Sequence, residues 1–176
     1  MAKEKSVLEN VLRFREAGAV ERGHTVRHTP GYTVGKHSFD MVLLLDILHP
    51  NPPVELYQAC IRHDLHERWT GDLPSPVKKL DPELGAATAS AAELVEEIVG
   101  IEYDLNSANE KWLKALDLLE FHLWTLDELN AGNDHVRRCA DDSAEGLREM
   151  DLPKEIEAFF CELVSEGWYR TDERIK

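Results

Sequence analysis

The stretch that decides this chain is Ile61–Lys79, IRHDLHERWTGDLPSPVKK. Its adjacent pair His63-Asp64 is followed one helical turn later by Glu67, so at 3.6 residues per turn His63 and Glu67 share a helix face, with Asp64 beside them. Thr70-Gly71-Asp72-Leu73-Pro74 has to end that helix, because glycine accepts positive φ and the residue before a proline is pushed out of the α region. Asp72 is therefore expected on a turn that faces back toward the helix. Imidazole and carboxylate ligands on a rigid element, with a further carboxylate nearby to handle a proton, are the layout that metal-assisted hydrolysis needs. A His-Asp dipeptide standing alone is more simply a buried histidine bonded to a carboxylate. The rest of the chain decides between the two.

Upstream of the pair, Asn51-Pro52-Pro53 breaks the chain and starts the helix that carries it, expected from Val54 to Trp69. Before that break, HSFDMVLLLDILH reads as a central helix opened by His37, whose Phe39, Val42, Leu43, Leu44 and Leu45 should leave little of it exposed. His37 at its start is either a hydrogen-bonded boundary residue or a ligand. Residues 19–35, AVERGHTVRHTPGYTVG, form a loop carrying Arg22 and Arg27. These are either forks for phosphate oxygens or solvated charges. Val7, Leu8, Val11, Leu12 and Phe14 recur at helical spacing, and Gly18 closes that first helix.

Downstream, Pro82 opens a helix that runs to about Val99 and stops at Gly100, and its small residues from Ala86 to Ala92 suggest close helix packing. Asn106 or Ser107 caps a long helix ending at Ala131, with Gly132 at the left-handed position. Leu113, Leu116, Leu119, Leu123 and Leu126 make its apolar stripe. Asp117 sits beside that stripe, where a carboxylate needs a partner or a metal. Residues 133–149 form a charged amphipathic surface helix. Pro153 starts the last one, with Ile156, Phe159, Phe160, Leu163 and Val164 at helical spacing and Trp168 and Tyr169 at its end, as core or subunit-contact residues. Without strand-like alternation or internal repeats, the expectation is an all-α single domain over residues 1–176.

Composition narrows the partners. A net charge of −14 opposes a broad phosphate-backbone footprint, so no nucleic acid polymer is expected, whereas a basic pocket for a small anion is compatible. Cys60, Cys139 and Cys161 are odd in number and widely spaced, which suggests neither a disulfide framework nor a thiolate zinc site. The N-terminus alternates charged and apolar residues, and no run is long and apolar enough for a membrane span. A cytoplasmic protein is expected, in the host cytoplasm if phage-encoded.

Taken together, GKHS around His37, HDxxE and TGDLPSPVK from His63 to Lys78, KALD at Asp117 and LDELNAGN from Leu126 to Asn133 resemble the H…HD…D pattern of the HD-domain metal-dependent phosphohydrolases. The chain looks most like the bacterial 5′-deoxynucleotidases of that superfamily and, in size and motif, the small phage deoxynucleoside triphosphohydrolases, including dATP-specific ones. The resemblance spans about residues 7–135, with a motif core over about 20–135 and the C-terminal helices, 136–176, packing on it. It implies a helical HD-domain bundle in which His37, His63, Asp64 and Asp117 hold one divalent transition metal ion. Glu67 then matches the carboxylate that positions or activates water, and Asp72 a residue near that water and the deoxyribose. Arg22 matches the phosphate-binding arginine, and Lys78 falls at a second phosphate contact. Deoxynucleotidases follow the arginine with tryptophan, whereas Gly23 stands here, which bears on how base and sugar are packed. Relatives are homo-oligomers, and the apolar C-terminal helix allows that state here.

Two imidazoles and two carboxylates suit Co, Mn, Zn or Fe better than Ca or Mg, which prefer all-oxygen shells. The expected activity is hydrolysis of phosphate from small deoxynucleotides, on dNMP, on dNTP, or on both; either Glu67 or Asp72 is the base. From another class, the same shell without turnover would be a nucleotide- or metal-binding regulatory module. Having both Glu67 and Asp72 argues against that. The remaining histidines match no ligand pattern, and Trp69 and Tyr32 read as base-stacking or packing residues.

Overall fold

The computed structural model describes residues 6–100 and 104–167, without the side chains of Ser75, Lys78 and Lys79. The helices are α1 (Val7–Ala17), α2 (Val34–Leu48), α3 (Val54–Arg62), α4 (Glu67–Thr70), α5 (Ser75–Leu80), α6 (Pro82–Val99), α7 (Ser107–Asn130), α8 (Arg137–Glu149) and α9 (Lys154–Ser165), with a 3₁₀ turn at Asp134–Val136. Among the described residues, strand geometry is confined to one isolated bridge, Glu21 to Thr33, so the fold is all-α. No described helix is long and apolar enough to cross a membrane.

The long helix α7 is the axis of the bundle, because its apolar stripe meets three neighbours at once. It packs on α2, α3 and α8. Leu116, Leu119 and Leu126 are buried against Met41 and Leu45 of α2, Leu56 and Cys60 of α3, Ala144 and Leu147 of α8, and Ile156 and Phe160 of α9. Each such large side chain contributes roughly 1.5–3 kcal/mol on burial, against about 1 kcal/mol for a helix cap. Core packing therefore holds α2, α3 and α7 in register. A smaller cluster of Ala17, Leu65, Val95 and Val99, with Phe14 against it, ties α1 and α6 to the segment after α3.

α6 runs from Pro82 to Val99 ahead of Gly100 and Asn106 caps α7, as expected; Asp81, accepting from Glu83 and Leu84, caps α6, and Gly100 is left-handed at φ 69°. Four other expectations are corrected. The helix of the His-Asp pair stops at Arg62 and restarts at Glu67, because Leu65 and Glu67 donate to the carbonyls three residues back, Arg62 and Asp64, in tight turns. The helix of His37 starts earlier, at Val34, because the Thr33 hydroxyl caps it. That helix is also less enclosed: Phe39, Leu43 and Ile47, spaced four apart, form an exposed stripe. Ala86, Ala87 and Ala89 are exposed as well, and only Thr88, Ala91 and Ala92 of the small-residue run of α6 are half-buried. Trp168 and Tyr169 lie outside the described residues.

Candidate metal centre

Two local devices bring the chain to the site. At the entry to α2, Gly35 donates to the Gly18 carbonyl at 3.0 Å, and a Cβ on Gly35 would lie 2.9 Å from that oxygen, so only glycine allows this approach. The loop then runs back along itself, with Val34 donating to Val20 at 2.9 Å and Arg22 to Tyr32 at 2.8 Å. This pins Arg22 beside the first turn of α2, where His37 is fully buried. The turn that follows α3 supplies His63 and Asp64, and the middle of α7 supplies Asp117.

His37 Nε2 and His63 Nε2 lie 3.3 Å apart, and Asp117 Oδ1 is 3.1 Å from the first and 3.9 Å from the second. The orientation of each ring has a cause. A carbonyl can only accept, so His63 donates from Nδ1 to Cys60 O at 3.2 Å, and His37 donates from Nδ1 to the carboxylate of Glu120. Both Nε2 atoms are thereby left for the cluster. The donor atoms of His37, His63 and Asp117 all lie within 4.8 Å of one another, a set able to coordinate one divalent metal ion. Mixed imidazole and carboxylate donors fit a transition ion such as Zn, Co, Mn or Fe. Asp64 stands against the same rings, 3.2 Å from His63 Nε2 and 3.7 Å from His37 Nε2, while its carboxylate accepts from Arg22.

The electrostatics follow from burial and charge. Burial opposes charge on His37 and His63, yet the Asp117 hydrogen bond, with Glu120 for His37 and Asp64 for His63, raises both above the usual imidazole range. Burial likewise opposes charge on Asp64, but His63 and Arg22 hold it well below the usual carboxylate range. Glu67 goes the other way: burial and the nearby Asp64 push it up to about 8. Its Oε1 is 3.6 Å from Arg22, and its buried Oε2 has no hydrogen-bond partner among the described residues. Such an oxygen is poised to accept from a water or a ligand.

Asp72 lies near enough to Glu67 for its charge to help raise that carboxyl. It accepts from the Gly23 backbone at 3.0 Å and so ties the Gly71–Pro74 turn to the arginine loop. Gly23 needs its freedom: φ is 65°, and a Cβ would lie 3.1 Å from the Trp124 indole. Arg27 is exposed, and among the described residues its guanidinium bonds to none of these groups. The Lys78 side chain lies outside the described residues. Tyr32 is stacked on Trp124, 2% exposed, and cannot stack on a base as it stands; Trp69 is half-exposed with the Arg68 guanidinium over its ring. His66 donates to the His63 carbonyl at 3.2 Å and steadies the turn.

Sequence reasoning missed Glu120 and Glu128. Glu128 accepts from Thr29 N–H at 3.0 Å and from Asn133 at 2.6 Å, and Asn133 also donates to Arg27 O at 2.8 Å. The LDELNAGN segment therefore staples the arginine loop to the end of α7. Glu120 interrupts a buried apolar stripe one turn after Asp117, which is a readable signal, since a carboxylate there needs partners.

Neither a family model nor a curated protein matches the chain. Two solved structures are similar to it in fold over most of its length. The cyanophage S-2L HD phosphohydrolase DatZ, bound to dA and one catalytic Zn2+ ion, is 22% identical over 96% of this chain and 99% of its own, with a TM-score of 0.67. The PH0347 protein from Pyrococcus horikoshii OT3 is 17% identical over 89% of this chain and 98% of its own, with a TM-score of 0.66.

Proposed function

We propose that this chain is a metal-dependent phosphohydrolase of small deoxynucleotides, acting in the cytoplasm as a 5′-deoxynucleotidase on dNMP, as a triphosphohydrolase on dNTP such as dATP, or as both. The observation that carries the reading is the meeting of His37 Nε2, His63 Nε2 and Asp117 Oδ1 beside the Arg22 guanidinium and the unpartnered oxygen of Glu67. Dense negative charge elsewhere on the chain favours a small anion over a polymer. The fold relative that holds dA and zinc supports a deoxynucleoside moiety.

His37, His63 and Asp117, with Asp64, would hold the ion. Bound there, it would draw charge from phosphorus and bring a water within reach of deprotonation near neutral pH. The remaining work falls to the chain's own groups. Arg22 neutralises charge growing on the phosphoryl oxygens, a role worth about 3–4 kcal/mol for one donor in a dry site. Glu67 accepts a hydrogen from the attacking water through Oε2; a base with a pKa near the working pH is efficient in that task. Asp72, tied to Gly23, sits at the sugar end. Arg27 and Lys78 are the candidate contacts for further phosphates.

The test is incubation of the chain, stripped with a chelator and reloaded with Co, Mn, Zn or Fe, with every dNMP, dNTP and NTP, products being separated by chromatography. Free phosphate from dNMP identifies a nucleotidase, and intact triphosphate from dNTP a triphosphohydrolase. No product from any of them sinks the enzymatic reading in favour of a binding module.

A further inference from the structure

A buried carboxylate behind the cluster has no part in the chemistry above. Glu120, one turn beyond Asp117 on α7, is 3% exposed. Its Oε2 accepts from the Tyr32 hydroxyl at 2.7 Å and from Nδ1 of His37. Desolvating a carboxylate is costly unless its acceptor capacity is used, so this group is placed where two donors converge. A carboxylate oxygen cannot donate, so His37 must point Nδ1–H at Glu120, and its Nε2 then faces His63 Nε2 at 3.3 Å and Asp117 Oδ1 at 3.1 Å.

Tyr32 is held as firmly as the carboxylate it serves. Its ring is stacked on Trp124, centroids 4.2 Å and planes 7° apart, and the Arg22 guanidinium lies 5.8 Å from the ring centroid. Trp124 is on α7 with Glu120 and Asp117. One helix thus supplies a carboxylate on the Nε2 side of His37, from Asp117, and one on its Nδ1 side, from Glu120, three residues apart.

We propose that Glu120 is a positioning residue for the metal centre: its carboxylate, steadied by Tyr32, holds the His37 ring with Nδ1–H turned away and Nε2 turned into the cluster. The inference rests on the metal site of the reading above, and it concerns affinity for the ion, apart from turnover. Carboxylates placed behind a ligating imidazole raise its basicity and fix its tautomer, and their loss typically weakens metal binding 10–100-fold.

The experiment is a Co(II) titration of the full chain, stripped of metal, followed by the visible absorbance of the bound ion, on wild type, E120A, E120Q and Y32F, each checked for folding by circular dichroism. E120A is expected to bind Co(II) about 10–100-fold more weakly. E120Q, whose amide oxygen still accepts from Nδ1–H, should recover most of that loss, and Y32F should fall between wild type and E120A. A folded E120A that binds as tightly as wild type overturns the proposal, as does an E120Q no better than E120A. Should E120A fail to fold, imidazole ¹⁵N spectra of the Zn(II)-loaded wild type read the same point: a protonated Nδ1 on His37 is expected, and a metal-bound Nδ1 overturns it. Glu120-dependent binding without any nucleotide hydrolysis supports the brace while sinking the phosphohydrolase; a wild-type chain that takes up no Co(II) overturns both.

Discussion

Arg22 donates from Nη1 to Oδ2 of Asp64 across 42 residues of chain, and the same guanidinium lies 3.6 Å from Glu67 and 3.8 Å from Asp117. One cation thereby serves three carboxylates in a pocket where they would otherwise repel. Burial opposes charge on Arg22, but Asp64, Asp117 and Glu67 more than offset it and keep the guanidinium charged. Removing it leaves those carboxylates uncompensated. R22A is expected to cost about 3–5 kcal/mol of stability, the usual range for breaking a buried pair, and to lower turnover about 10²–10³-fold. R22K keeps the charge without the fork and should fall between. Urea denaturation and nucleotide kinetics check this; an unchanged R22A midpoint contradicts it.

Ligands and base should separate on substitution. H63A, D117A and D64A are expected to lose both bound Co(II) and turnover, whereas E67A retains the ion and loses turnover. Metal analysis of the purified variants decides, and an E67A chain found empty refutes this division of roles.

His122 is buried beside Ser143, 2.9 Å away, and its pKa is lowered to about 4 by burial and by Arg148. The unfolded chain binds this proton near pH 6.5, the folded chain only near 4. Stability from this group is therefore complete above pH 6.5 and is lost as pH falls toward 4, by about 3 kcal/mol. Denaturation midpoints across that window should fall more steeply for wild type than for H122Q. Parallel slopes would rule it out.

Gly23 is held at φ 65°, and a Cβ on it would lie 3.1 Å from the Trp124 ring. G23A should cost about 1–2 kcal/mol from the left-handed backbone alone, with the contact to Trp124 adding to it. A bulkier residue there would have to displace Trp124 and disturb the Gly23 bond to Asp72. Chemical denaturation of G23A measures the cost, and wild-type stability in that variant would count against the packing argument.

Local chemistry made much of the fold legible. The Pro82 start and Gly100 stop of α6, the Asn106 cap and the leucines of α7 each announce themselves within a few residues, because helix starts, stops and periodicity depend on near neighbours. The break after Arg62 was not legible, since tight turns and helix share similar composition there and differ only in which carbonyl each N–H chooses. Glu120 offered only its place in an apolar stripe, because its partner His37 lies 83 residues away.

By itself the chain order determined that the protein is helical and which side chains are chemically fit to bind an ion, since both depend on residue type and short spacing. Only the tertiary structure decided that Nε2 of His37 faces inward, that Asp64 is engaged by Arg22, and that Asp72 serves Gly23. Those outcomes are set by hydrogen bonds between residues 42 to 83 positions apart, and no local pattern encodes a choice of partner at that distance.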